Sequence, residues 1–178
     1  MIYGCPRAWI NRLVTAKIQV LMVCLGNICR SPTAHGVFKN RIENADLADK
    51  IHVDCSGTGN YHIGEKPDLR SIETAARRGY DLSSFRARQV QASDFERFDY
   101  ILAMDATNLV DLRARCPQVH LPKLQLFLDY AAADCEAVPD PYFSGPEGFD
   151  VVLDLIEDAS DGLLAHIRDR HFPDPGAG

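Results

Sequence analysis

Apolar and polar stretches alternate along the chain in a way that divides it into short strands and longer helices. Ile18 to Val23 is apolar and β-branched enough, Gln19 aside, to read as a buried strand. Pro32 stands where a helix would begin, and Ala34 to Leu47 reads as that helix. Ile51 to Cys55 is a second short strand, ending at Gly57 and Gly59. A loop containing Gly, Pro and Asn then leads to a helix over Asp68 to Arg78, closed by Gly79. Asp99 to Met104 is the clearest apolar strand. A helix from Ala106 to Arg115 stops before Pro117, and Lys123 to Leu128 reads as a fourth strand. Pro139 to Gly148, P-D-P-Y-F-S-G-P-E-G, reads as loop. From Phe149 to Arg170, Val152, Leu155, Ile156, Leu163, Leu164 and Ile167 recur at helical spacing.

Strands alternating with helices, each strand short and apolar, predict an α/β fold. The expectation is a single three-layer domain, a four-stranded parallel sheet with helices on both faces, flavodoxin-like in shape. In such folds the ligand site lies at the carboxyl ends of the strands, where the loops after Val23 and after Cys55 both emerge. No internal repeat or linker interrupts the pattern. The domain is expected over residues 18–172, with residues 1–17 as an N-terminal extension and 173–178 as a C-terminal tail. Trp9, Ile10, Leu13 and Val14 in the extension could form a helical turn or two, and the sequence leaves their order open.

Composition narrows the function classes. A formal net charge of -6 gives no support to a nucleic-acid or anionic-membrane surface, so an anionic substrate must be held by a local site. Six cysteines without a secretory signal argue for a reducing compartment. Arg7 and Arg12 interrupt any signal-peptide core, and no apolar run approaches the ~18 residues of a membrane span. The cytoplasm is the expected location.

The candidate chemistry sits in V-C-L-G-N-I-C-R-S-P, Val23 to Pro32. A strand, a tight loop and a helix start form the geometry that gathers backbone N–H groups around an anion. Gly26 and Asn27 tolerate the positive φ such a loop requires. Arg30 offers a planar fork of donors matched to phosphate oxygens. The same positive environment favours a thiolate at Cys24, to which Ser31 can donate a hydrogen bond. Such a nucleophile needs an acid to protonate its leaving group, and Asp140, between two prolines in a stiff loop, is the best candidate. A plain Asx-turn is the competing explanation for Asp140.

Taken together the motifs resemble those of the low-molecular-weight protein-tyrosine phosphatase family. They are C-L-G-N-I-C-R-S-P-T-A at Cys24 to Ala34, G-T-G-N-Y-H-I-G at Gly57 to Gly64, R-A-R-Q at Arg86 to Gln89, F-D-Y-I-L-A-M-D at Phe98 to Asp105, and D-P-Y at Asp140 to Tyr142. The resemblance implies Cys24 as nucleophile, Arg30 as phosphate clamp and Asp140 as general acid and base, with a phosphocysteine intermediate and neither metal nor other cofactor. It implies phosphate binding by Leu25, Gly26, Asn27, Ile28, Cys29 and Ser31, and pocket walls from Tyr61, Tyr142 and Phe143. The implied partner is a phosphotyrosine-bearing protein, with tyrosine kinases among the candidates. Reversible Cys24–Cys29 disulfide protection is also implied by the family.

Two positions depart from the family pattern. The chain has D-C-S-G-T at Asp54 to Thr58, where a serine commonly stands in place of Cys55, and His35 where glutamate is common. Loss of a Ser hydroxyl near Asn27 predicts a somewhat looser phosphate loop. His35 is expected to be an exposed helix residue, the alternative being titration near neutral pH that perturbs the site. A zinc site is not expected, because C-x4-C lacks a second Cys or His pair at ligand spacing. A thiol-dependent arsenate reductase would need a closely spaced cysteine pair, and Cys116 and Cys135 are far apart. A phosphotyrosine-binding module without turnover would be marked by loss of Cys24, Arg30 or Asp140, and all three are present. A nucleotide switch would need a phosphate loop of another type.

Overall fold

A computed structural model describes residues 17–173. The expectations for the extension before Lys17 and for the last five residues lie outside the described residues. Four parallel strands form one sheet in the order β2-β1-β3-β4: β1 (Ile18–Cys24), β2 (Ile51–Gly57), β3 (Tyr100–Ala103) and β4 (Leu124–Leu126). The chain steps outward from β1 to β2 and then returns across β1 to β3. The switch point therefore lies between the carboxyl ends of β1 and β3, where open α/β sheets bind ligands.

The pleat of β1 divides the core in two. Val20, Met22 and Cys24 face a layer built from α1 (Arg30–Asn44) and α5 (Pro146–His171), with Phe38, Val152, Ile156 and Leu163 among its buried side chains. The alternate residues Leu21 and Val23 face α3 (Ala92–Arg97) and α4 (Ala106–Arg115) through Phe95, Leu109 and Leu112. The expected three-layer α/β architecture is found. Remaining between Asp68 and Arg78, α2 (Leu69–Arg77) packs beside α5, and Asp68 caps it by accepting from the Arg70 N–H.

Several boundaries differ from the sequence pattern. α1 starts at Arg30, a turn before Ala34, because Cys29 is its N-cap and Pro32 fits inside a first turn that needs no donor there. The fourth strand is only Leu124–Leu126, with 3-10 turns over Gln118–Lys123 and Phe127–Tyr130 on either side. The loop before α5 ends at Gly145, since Pro146 opens the helix and Gly148 lies inside it. α3 has no counterpart in the hydrophobic pattern. Its sign is the reciprocal box in which the Gln91 side chain accepts from the Asp94 N–H and Asp94 accepts from the Gln91 N–H.

Candidate active site

The loop from Cys24 to Arg30 is shaped by what holds its carbonyls. Thr58 N donates to Cys24 O and Gly59 N to Leu25 O, both at 2.9 Å, and Asp68 N donates to Ile28 O at 2.7 Å. In a trans peptide the following N–H points opposite to its C=O. The amides of Leu25, Gly26 and Cys29 therefore turn away from this outer shell, toward the loop's centre. Asn27 takes the left-handed conformation, φ 57°, and its N–H donates to Cys24 Sγ at 3.3 Å. Gly26 does not adopt positive φ, contrary to expectation; the reversal is made at Asn27 alone. Gly57 backs the loop so closely that a Cβ there would lie 2.6 Å from Leu25 O.

Polar side chains beneath the loop fix it further. The Asn27 Nδ2 donates to Ser31 Oγ at 2.8 Å, and Asn27 Oδ1 accepts from the Arg88 N–H at 2.9 Å. Both ends of this amide are thus engaged, and the amide also lies beside the Cys55 thiol. Ser31 Oγ lies 3.1 Å from Cys24 Sγ and 3.2 Å from Ser56 O. Its single proton therefore has two acceptors, and an ionised Cys24 would be the stronger.

Arg30 is buried, with its side chain 4% exposed. Nη1 donates to Asp105 Oδ2 at 2.5 Å and to Val138 O at 3.2 Å, and Nη2 donates to Asp140 Oδ2 at 3.0 Å. Burial works against the guanidinium charge, yet Cys24, Asp105 and Asp140 together raise its pKa above the ordinary arginine value. The sequence alone gives Asp105 no role beyond closing the third strand's motif. It caps α4 by accepting from the Asn108 N–H at 2.7 Å and orients Arg30 with its other oxygen. The Asx-turn considered for Asp140 exists, the Tyr142 N–H donating to Oδ1 at 3.1 Å, and it leaves Oδ2 aimed at Arg30.

These groups converge on a cavity of about 190 Å³. Cys24, Leu25, Gly26, Ile28, Cys29 and Arg30 form its floor, and Asp140 reaches in from one side. Asn27 and Ser31 lie beneath it as supports. Tyr61 and Tyr142 stand at the walls, while Phe143, 94% exposed and edge-on to Tyr142 at 5.0 Å, forms an outer lip. His62, missed from sequence, also lines the mouth and pairs with Glu65 at 2.8 Å. Arg70 anchors the acid-bearing loop by donating to Tyr142 O at 3.1 Å, with its guanidinium over the Tyr142 and Phe149 rings. Cys24 and Cys29 are free thiols, and burial together with Asp68 pushes Cys29 up to about 12. Cys116 and Cys135 lie outside the cavity lining.

His35 is not the exposed helix residue expected. Its ring stacks on Phe85 at 4.1 Å and Nδ1 lies 3.4 Å from Cys55 Sγ. Burial, reinforced by Lys39, His52 and Arg88, lowers its pKa to about 4 against the pull of Asp54, so it does not titrate near neutral pH.

An open parallel sheet carrying a cysteine-centred, amide-lined loop at its switch point narrows the class of protein. The sequence profile described as low molecular weight phosphotyrosine protein phosphatase matches residues 19–171. The chain is 43% identical over 147 residues to the low molecular weight phosphotyrosine protein phosphatase of Schizosaccharomyces pombe, covering 81% of this chain and 94% of that one. With the human protein of the same description it shares 39% identity over 139 residues, covering 77% and 87%. A crystal structure of a protein tyrosine phosphatase from Entamoeba histolytica, with Hepes in its active site, matches at a TM-score of 0.84 and 41% identity, covering 86% of this chain and 98% of that one. Bacillus subtilis YfkJ matches at 0.83 and 39%, covering 88% and 98%. The chain belongs to the low molecular weight phosphotyrosine protein phosphatase family.

Proposed function

We propose that this protein hydrolyses phosphotyrosine in proteins through a phosphocysteine on Cys24. The observation that carries the reading is the convergence of Cys24, Arg30 and Asp140 on one cavity floored by inward-turned amides. The dianionic phosphate sits in the loop, its equatorial oxygens met by the amides between Leu25 and Arg30 and by the Arg30 fork. Arrival of that charge competes with Asp140 for Nη2, leaving Oδ2 free to carry the leaving-group proton.

In the first step Cys24 Sγ attacks phosphorus in line, the bond from phosphorus to the phenolic oxygen breaks, and Asp140 gives that oxygen its proton. Ser31 and the Asn27 N–H hold the thiolate on which the second step ends. There the Asp140 carboxylate takes a proton from water, the oxygen attacks phosphorus, and inorganic phosphate leaves as the Cys24 thiolate returns. Each charge that develops has a partner in the chain, so the reaction is written without a metal. Tyr61 and Tyr142 flank the ring of a phosphotyrosine, whereas a phosphoserine is too short to reach the floor from the same mouth. Phosphotyrosine proteins, tyrosine kinases among them, are the substrate class.

A net charge of -6 and five free thiols among the described residues suit a reducing, cytoplasmic setting. Among the described residues no helix is long and apolar enough to cross a membrane. The test is phosphate release from a phosphotyrosine peptide in the presence of a chelator, comparing the native chain with Cys24→Ser. Turnover that survives the chelator and is lost in Cys24→Ser supports the proposal; turnover retained in Cys24→Ser, or abolished by the chelator, overturns it.

A further inference from the structure

Behind the phosphate loop, on the far side from the cavity, α1 and the edge strand β2 bring together a second set of chemistry-bearing side chains. His35 Nδ1, an Asp54 carboxylate oxygen and Cys55 Sγ all lie within 4.8 Å of one another. The imidazole nitrogen and the sulfur are 3.4 Å apart. That is close to the ~3.5 Å edge of a tetrahedron with zinc–nitrogen and zinc–sulfur bonds of ordinary length. We propose that His35, Asp54 and Cys55 form a binding site for Zn²⁺ or a similar borderline-soft divalent cation.

The donor set is suited to zinc: one imidazole, one thiol and one carboxylate. Cys55 is buried and carries a free thiol. The ion would therefore displace the thiol proton to solvent as the sulfur–metal bond forms. Asp54, the least constrained of the three by the distances, must draw toward the other two donors to complete the triad. Its Oδ2 already accepts from Arg88 Nε and Nη2, at 3.2 and 2.9 Å, and its Oδ1 accepts from the Cys55 N–H at 2.7 Å. The Arg88 charge that faces the site is shared between Asp54 and Asp94, which lessens its repulsion of a cation. The fourth position opens on a cleft of about 480 Å³ between α1 and β2, where Lys39, Glu43 and His52 stand at the wall. With an ion bound, water would take that position, as in three-ligand zinc sites generally.

The site connects to the loop by contacts already described. Arg88, whose side chain holds Asp54, holds Asn27 Oδ1 with its backbone N–H, and Asn27 in turn holds Ser31 beneath Cys24. Drawing Asp54 toward an ion loosens that chain. Occupancy is expected to lower kcat without raising KM, a consequence that rests on the phosphatase reading. Binding itself does not.

The decisive experiment titrates Zn²⁺ into full-length Cys24→Ser protein in phosphine-reduced buffer, by calorimetry, and repeats it with Co²⁺ by absorption spectroscopy. One equivalent bound, with a thiolate-to-cobalt charge-transfer band and tetrahedral visible bands, is the expected result. Adding Cys55→Ser should remove the charge-transfer band, and adding His35→Ala should weaken binding by more than about 10-fold. No binding in Cys24→Ser, or binding unchanged by both substitutions, overturns the site. In the protein with Cys24 intact, a zinc-dependent fall in kcat that disappears with His35→Ala supports the coupling. Purely competitive inhibition retained in His35→Ala contradicts it and places the inhibiting ion at Cys24.

Discussion

Arg30 Nη2 donates to Asp140 Oδ2 at 3.0 Å, an ion pair between residues 110 positions apart that ties the start of α1 to the loop before α5. Asp105 holds the other arm of the same guanidinium, so Arg30 is aimed before any phosphate arrives. A buried cation so held does not have to reorganise when charge develops in the cavity, which is where electrostatic catalysis draws its strength.

If Asp140 is the proton donor proposed above, its effect depends on the leaving group. Asp140→Asn keeps the turn acceptor for the Tyr142 N–H but carries no proton to give. Turnover of a tyrosine phosphate is expected to fall by about 10²- to 10⁴-fold, and that of an activated nitrophenyl ester much less. A parallel loss with both substrates, read from steady-state kcat, would remove Asp140 from that role.

The proposed mechanism makes Asp105 a positioning residue that acts through Arg30. In Asp105→Asn the α4 cap is retained, since asparagine caps as well as aspartate, while the charge that orients the guanidinium is lost. A loss of about 10-fold in kcat/KM is expected, equivalent to about 1.4 kcal/mol, with the circular dichroism spectrum unchanged. Unaltered kcat/KM would leave Asp105 as a helix cap only.

Gly57 tests how tightly the loop is backed. A Cβ at this position would meet Leu25 O at 2.6 Å and Asn27 N at 3.2 Å, both backbone atoms that cannot swing aside. Gly57→Ala should cost about 1–3 kcal/mol of stability and more than about 10-fold in kcat, because the strain falls on the amides proposed to hold phosphate. Denaturant unfolding and phosphate release measured on one preparation would check both. Full activity would show that the loop yields freely.

His35 gives the stability a specific pH dependence. Its folded pKa of about 4 lies below the 6.5 of the unfolded side chain, so between these values the unfolded state binds more protons. The stabilisation is fully present above pH 6.5 and is lost as pH falls toward 4. At pH near 4.5 the loss should reach about 2–3 kcal/mol. His35→Gln should flatten that fall, with Asp54, Lys39, His52 and Arg88 still facing the position. Urea unfolding of both proteins at neutral and acid pH measures the difference, and equal slopes would contradict the burial of a neutral imidazole.

The strands and the main helices were legible because their apolar runs match the periods of sheet and helix. The loop between Cys24 and Arg30 was legible because strand, loop and helix start are adjacent in the chain. What escaped the sequence is set by distant pairing. Asp105 looks like an ordinary helix cap until β1 and β3 place it against Arg30. Arg70 and His62 gain their roles only when the loops around the cavity come together. His35 reads as exposed because a polar side chain on a helix usually faces solvent, yet Phe85 arrives from a distant loop to cover it. The same folding brings His35 to Cys55, 20 positions away, which no linear ligand spacing would reveal. α3 escaped for a different reason, being too short to show a period.

The central claim is that phosphate is carried on Cys24, and trapping that species tests it most directly. Asp140→Asn protein mixed with an activated aryl phosphate, quenched in acid within the first turnover and digested, should yield the peptide containing Cys24 with one phosphoryl group on sulfur. Phosphate found on another residue, or product formed in a burst with no phosphorylated protein at any time, would contradict the account.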